Sequence, residues 1–205
     1  MTQLKGLIAV GASTGGPRAL QHILSQFPPE FPAAFLVVQH MPDTFTRPFA
    51  ERLDSLCAMR VVEAGQHEFV QAGTVYVAPG NRHLTVEPRG NDLRIVLEDT
   101  EVVSGHRPSV DRLFSSLTGV THLPVALVLL TGMGKDGARG MQQVKEVHPV
   151  VTTLAEDASS CIVFGMPKAA IRAGCVDEVV PLSTIADKLK QLVNGWTIEG
   201  GVMGE

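Results

Sequence analysis

The chain has 205 residues, of which 44% are hydrophobic and 19% charged, and its formal net charge is -4. That length fits one domain with a core covered on both sides, and the balance is that of a folded globular protein rather than a disordered one. No Lys/Arg run offsets the negative charge, so the electrostatic footprint of a nucleic-acid binder is missing, and the longest apolar runs fall far short of the roughly 20 residues that cross a bilayer.

The first predicted element is a strand at Leu7 to Val10, too short for the apolar segment of a secretory signal and followed at once by a Gly-rich turn. The turn is Ser13-Thr14-Gly15-Gly16, and Pro17 to Ser25 follows as a helix whose proline suits a first turn. Phe35 to Gln39 is a second continuous apolar strand, ending in His40-Met41-Pro42. The middle of the chain changes rhythm. Thr74 to Ala78, His83 to Glu87 and Leu93 to Glu98 are β-rich and joined by Pro79-Gly80-Asn81 and Pro88-Arg89-Gly90-Asn91, which predicts a small antiparallel meander. Ser109 to Leu117 reads as a helix behind Pro108.

Val125 to Leu130 is the third apolar strand, and it runs into Thr131-Gly132-Met133-Gly134-Lys135-Asp136-Gly137. Behind that turn, Met141, Val144 and Val147 recur at helical spacing over Ala138 to Val147. Later strands are expected at Val150 to Leu154 and Val176 to Val180, and a last helix at Thr184 to Val193 with Ser183 as its cap. The alternation predicts an α/β fold in three layers: a doubly wound, mostly parallel sheet with helices on both faces, plus the small antiparallel β meander. One domain is expected over residues 1–195, with a loose tail at 196–205.

In such a sheet, ligands bind beyond the carboxyl ends of the strands. Three predicted strand ends present Ser13, His40 and Asp136, the parts of a relay in which an imidazole deprotonates a hydroxyl and a carboxylate fixes the imidazole. Each also has a plain reading. The turn at Ser13 is a possible phosphate cradle at a helix N-terminus, although it is neither a Walker loop nor a G-x-G-x-x-G turn. His40 suits a structural role, and Asp136 a turn or a magnesium site. The turn around Ser13 also lacks the G-x-S-x-G elbow of the common α/β-hydrolases. Cys57, Cys161 and Cys175 are odd in number and lack a CxxC, which fits a reducing cytoplasm and no disulfide framework. His22, His67, His83, His122 and His148 show no metal-ligand spacing and are expected to be surface or structural residues.

Six segments carry more than spacing does: GASTGGPRAL at 11–20, VVQHMP at 37–42, YVAPGNRHL at 76–84, HRPSVDRLF at 106–114, LTGMGKDGARGM at 130–141 and FGMPKAAIRAG at 164–174. Through them the chain resembles, from about Leu7 to Leu192, the catalytic domain of the CheB-type protein-glutamate methylesterases of bacterial chemotaxis. The resemblance implies a serine hydrolase that demethylates γ-glutamyl methyl esters on the cytoplasmic helices of chemoreceptors, with deamidation of receptor glutamines as a companion reaction. It places the nucleophile on Ser13, the base on His40, the orienting acid on Asp136 and an oxyanion donor on the Met133 N–H, with Thr14 as an auxiliary hydroxyl or a helix cap. It implies no metal and no cofactor. Arg107 is expected either to face an acidic receptor surface or to pair with a nearby carboxylate, and Met166 to serve packing.

The family pattern also carries an N-terminal receiver domain. No segment for one stands ahead of the first strand here; for a free-standing esterase, regulation is expected from another protein, from a separate receiver-domain protein, or not at all, and monomer is the default assembly. Two further departures are Lys145-Glu146-Val147-His148-Pro149, where a glycine-bearing turn is usual, and Glu156, where Gln is common. A non-catalytic nucleotide- or phosphate-binding α/β module is the alternative function.

Overall fold

The computed structural model describes residues 2–197. Its strands are β1 (Gly6–Ala12), β2 (Ala33–Gln39), β3 (Arg60–Glu63), β4 (Thr74–Val77), β5 (His83–Arg89), β6 (Asp92–Glu98), β7 (Val125–Leu129), β8 (Val151–Glu156) and β9 (Glu178–Val180). The helices are α1 (Gly16–Leu24), α2 (Asp43–Asp54), α3 (Val110–Ser116), α4 (Ala138–Val147), α5 (Met166–Arg172) and α6 (Leu182–Gly195).

Seven strands form one sheet in the order β3-β4-β2-β1-β7-β8-β9, and every pairing within it is parallel. β5 and β6 form a separate antiparallel pair. The central strands β1, β2 and β7 are buried at every position, which is why they read as unbroken apolar runs rather than as alternating ones.

Alternate side chains of β1 serve two cores. Ile8 and Val10 join Leu20 and Ile23 of α1, Leu53 of α2 and Leu189 of α6 on one face. Leu7 and Ala9 join Leu113 and Phe114 of α3, Met141 and Val144 of α4, Met166 of α5 and Leu84 of β5 on the other. β1 connects through α1 to β2 on one side, and β7 connects through α4 to β8 in the opposite direction. Right-handed crossovers that wind in opposite directions place their helices on opposite faces. The winding reverses between β1 and β7, leaving a crevice beyond their carboxyl ends.

Several local expectations are corrected. Thr74 to Ala78 is not part of the meander: β4 lies inside the parallel sheet between β2 and β3, with Phe35 opposite Val75. A short apolar strand carries no signature of its partner's direction. α6 starts at Leu182 with Pro181 as its N-cap residue, so Ser183 lies in the first turn and makes no capping bond. α2 was not expected, because Pro48 within it breaks the helical pattern. Strand β3 and helix α5 are likewise additions. Trp196, expected in the loose tail, is 8% exposed and packs in the α6 core, while residues 198–205 lie outside the described part. The unusual Val147-His148 segment ends α4, with the His148 Nε2 2.6 Å from the Val120 carbonyl oxygen.

Candidate active site

Ser13 is the first residue beyond β1, and His40 the first beyond β2. Because Ala12 pairs in register with Gln39, these two residues leave the sheet side by side, on strands about 4.8 Å apart. Both are tied down through their backbones. The Ser13 N–H donates to the Thr131 carbonyl (3.1 Å), its carbonyl accepts from the Gly16 N–H (2.8 Å), and the His40 N–H donates to the Ala12 carbonyl (3.0 Å). The buried Gln39 amide adds a clamp, its Nε2 donating to the carbonyls of both Ser13 (2.9 Å) and His40 (3.1 Å).

The turn into α1 depends on Gly15, whose φ of 84° is the left-handed conformation that side chains resist. A methyl group there would also lie 2.8 Å from Ile162. Gly132 answers a different need. A Cβ at this position would stand 2.8 Å from the Ser13 Cβ and 2.4 Å from the Met166 sulfur, so only a bare Cα leaves room for the serine.

Asp136 sits in the turn between β7 and α4, 96 residues from His40, and its Oδ2 lies 2.8 Å from His40 Nε2. The carboxylate is 1% exposed, yet all of its surroundings donate. Oδ2 also accepts from the Val110 N–H (2.7 Å), and Oδ1 accepts from Ser109 Oγ (2.8 Å) and the Asp111 N–H (2.9 Å). Burial pushes this carboxyl up, but His40, the two α3 amides and Ser109 together outweigh burial and hold it below the ordinary aspartate range. Asp136 is therefore an anion at neutral pH. Since a carboxylate only accepts, Nε2 carries the His40 ring proton and Nδ1 carries the lone pair. Among the described residues Nδ1 is buried without a hydrogen-bond partner. It is the basic site left for an incoming hydroxyl proton.

The His40 ring is stacked on His106, with centroids 3.7 Å apart and planes 10° apart. Burial first, and then the charge of His40, push the His106 ring below the usual histidine range, against the pull of Asp136. In the β7–α4 turn, Gly132 is pinned by donation from its N–H to Val163 and by acceptance from Gly165 and Met166. Among the described residues no acceptor takes the N–H of the next residue, Met133, whose side chain is 73% exposed. Thr14 is exposed; it makes no side-chain cap to α1, and its carbonyl accepts from Thr131 Oγ1 (2.9 Å). A cleft of about 340 Å³ opens beside this turn, lined by Gly15, Arg18, Thr131, Glu156, Ile162 and Leu182. Glu156 is fully buried, accepting from the Thr131 N–H (2.8 Å) and Ser160 Oγ (3.0 Å).

Sequence reasoning named Ser13, His40, Asp136 and Met133, and they come together at one sheet edge. It left unassigned Gln39, His106, Ser109 and Asp111, all within quoted motif segments, whose roles depend on contacts between distant segments. Of the two expectations for Arg107, pairing is what is seen: its guanidinium meets Asp99 at 2.7 Å. Met166 is fully buried in the core, as expected for packing.

Residues 8–189 match the family model described as CheB methylesterase. The protein-glutamate methylesterase/protein-glutamine glutaminase of Oceanobacillus iheyensis is 44% identical over 189 residues, covering 92% of this chain and 54% of that protein. The protein of the same description from Nitrosomonas europaea is 49% identical over 183 residues, covering 89% of this chain and 50% of the relative. The chain thus spans about half the length of the curated relatives it matches. The crystal structure of the Thermotoga maritima CheB methylesterase catalytic domain superposes with a TM-score of 0.87 at 41% identity, covering 91% of this chain and 98% of that one.

Proposed function

The chain belongs to the CheB methylesterase family, and from that premise we propose that it is a serine hydrolase of γ-glutamyl methyl esters on chemoreceptors. The observation that carries the reading is the buried His40–Asp136 pair, set beside Ser13 with the lone-pair nitrogen of His40 unengaged. In the proposed reaction, Ser13 Oγ attacks the ester carbonyl carbon while its proton passes to His40 Nδ1, and Asp136 stabilises the imidazolium. The Met133 N–H donates to the tetrahedral oxyanion; one such donor is worth about 2.7–4 kcal/mol in a well-studied hydrolase. Collapse breaks the bond to the methoxy oxygen, which takes the proton from His40 and leaves as methanol. Water then attacks the acyl-enzyme, giving a proton to His40, and glutamate and free Ser13 are released. A glutamine would follow the same path with ammonia leaving, which agrees with the double description of the relatives. Thr14, exposed beside the nucleophile, is an auxiliary hydroxyl facing the substrate in this reading.

Phe45, Met133 and Ile162 are exposed apolar side chains in the segments that follow β2, β7 and β8, beyond the carboxyl ends of those strands. Such a rim suits the apolar face of an amphipathic receptor helix. The phosphate-cradle alternative is disfavoured by the turn itself, because the Gly16 N–H is already given to the Ser13 carbonyl and Pro17 has none. We take residues 1–195 as the catalytic domain. Among the described residues no helix is long and apolar enough to cross a membrane. The test is methanol release from methylated receptor by the wild type and Ser13→Ala. The expected result is loss by several orders of magnitude in the variant, and equal rates overturn the reading.

A further inference from the structure

Asp136 does not hold itself in place. Its carboxylate caps α3, accepting from Ser109 Oγ and from the N–H groups of Val110 and Asp111. Asp111 returns the arrangement: its Oδ1 accepts from the N–H of Gly137 (2.9 Å), the residue after Asp136, and from the N–H of Gly140 (2.7 Å) in α4. Its Oδ2 accepts from Ser104 Oγ at 2.6 Å. The start of α3 therefore receives the carboxylate of the turn that leads into α4, and the start of α4 receives a carboxylate from α3, with residues 111 and 136 each serving as donor segment and as acceptor. The two helices touch through backbone, since a Cβ on Gly140 would lie 2.7 Å from the Asp111 carbonyl oxygen and 2.9 Å from its Cα. Asp111 is itself buried.

We propose that Asp111 is a positioning residue for hydrolysis. By accepting from Gly137 and Gly140 it locks the β7–α4 turn against α3, and so fixes the Asp136 carboxylate on the His40 ring. The physical reason is the backbone of the turn around Asp136, which is glycine-rich, with Gly134 and Gly137 both at positive φ. Such backbone has many accessible conformations unless hydrogen bonds select one. Displacing the carboxylate by about an ångström would cost on the order of a hundredfold in rate. This inference rests on the esterase reading for its kinetic consequence but not for its structural one.

Two substitutions separate position from charge. In Asp111→Asn the amide oxygen retains the Gly137 and Gly140 bonds, and the amide nitrogen donates to Ser104, whose hydroxyl can turn to accept. In Asp111→Ala both helix N–H groups lose their acceptor. The measurements are kcat and KM for methanol release, and the downfield proton resonance of the His40 Nε2–H on Asp136, assigned by its loss in His40→Gln. Leu189→Ala, which opens a cavity in the opposite core layer, serves as the control for lost stability alone. Asp111→Ala is expected to lose about a hundredfold in kcat with KM within about threefold, and to lose or strongly shift the resonance. Asp111→Asn and Leu189→Ala are expected to keep both. The proposal is overturned if Asp111→Ala keeps the resonance and kcat, if Asp111→Asn falls as far as Asp111→Ala, or if Leu189→Ala loses the resonance equally. The resonance is read without turnover, so an inactive wild type would sink the esterase reading while leaving this one decidable.

Discussion

The imidazole of His106 lies flat on that of His40, 3.7 Å between centroids. Two stacked rings at that distance cannot both hold a proton at low cost, and the one pushed down by burial and by its neighbour's charge is His106. On the proposed mechanism, His106 therefore stays neutral while His40 takes the serine proton, and it covers one face of the His40 ring. His106→Phe keeps the stack without a titrating group, so kcat/KM at pH 8 should stay within a few-fold of wild type. His106→Ala removes an aromatic pair worth about 1 kcal/mol, and should lower kcat/KM roughly fivefold. Steady-state methanol assays check both; equal losses in the two variants would remove the stack from the account.

Stability should fall as the solution is acidified, and the sign follows from the two shifts. His106 titrates lower folded than its usual 6.5, so its contribution is complete above that pH and is lost as pH falls through the folded value. Asp136 titrates lower than its usual 3.8, so its contribution holds above that pH and disappears below it. Thermal unfolding from pH 8 down to pH 3 should show Tm declining first in the histidine window and again in the carboxylate window. His106→Phe should flatten the first decline only. A Tm that rises on acidification from pH 7 to pH 5 would contradict this assignment.

Asp136 joins stability to chemistry, and its substitutions should separate the two. Asp136→Asn presents an amide nitrogen to at least one of the groups that now donate to Asp136, and it favours the His40 tautomer that cannot accept from Ser13. A loss of about 10⁴ in kcat is expected, as for the equivalent change in a serine-protease triad. Asp136→Ala in addition leaves the Val110 and Asp111 N–H groups buried without an acceptor, at about 1–3 kcal/mol each. Urea unfolding should rank Ser13→Ala near wild type, Asp136→Asn below it and Asp136→Ala lowest.

Gly132→Ala should damage activity more than its size suggests. The added methyl would face Met166, a flexible side chain that can yield, and Ser13, whose backbone is bonded on both sides. Overpacking of this kind costs about 1–3 kcal/mol. Part of it should appear as a displaced nucleophile, with kcat reduced at least tenfold and receptor binding retained. A variant with reduced stability but wild-type kcat would show that the turn relaxes away from Ser13 instead.

The sequence made the three central strands and the residues at their ends legible because both carry strong local signals. Leu7 to Val10, Phe35 to Val38 and Val125 to Leu130 are apolar throughout, and each runs into a polar segment. The direction of β4 was not legible, since four buried residues pack equally well in either sense. Gln39 could be read as one more strand residue, but its role arises from two carbonyls, one of them in another segment. Asp111 and Ser109 are similar cases: HRPSVDRLF marked a helix start, whereas the partner of that helix start, Asp136, is 25 to 27 residues away.

Because His40 and Asp136 are separated by 96 residues, catalytic competence on the proposed mechanism should be a late event in the life of each molecule. On that mechanism neither half of the sheet contains a complete site: β1 and β2 can pair and present Ser13 beside His40, but His40 meets Asp136 only when β7 adds to the far side of β1. Contacts of such long sequence separation form slowly, because loop closure is costly before the contact rewards it. Nascent or partly unfolded copies should therefore be silent toward receptors even when rich in helix, so hydrolysis reports completed topology. On dilution from denaturant, recovered methanol release should lag the recovery of helical circular dichroism.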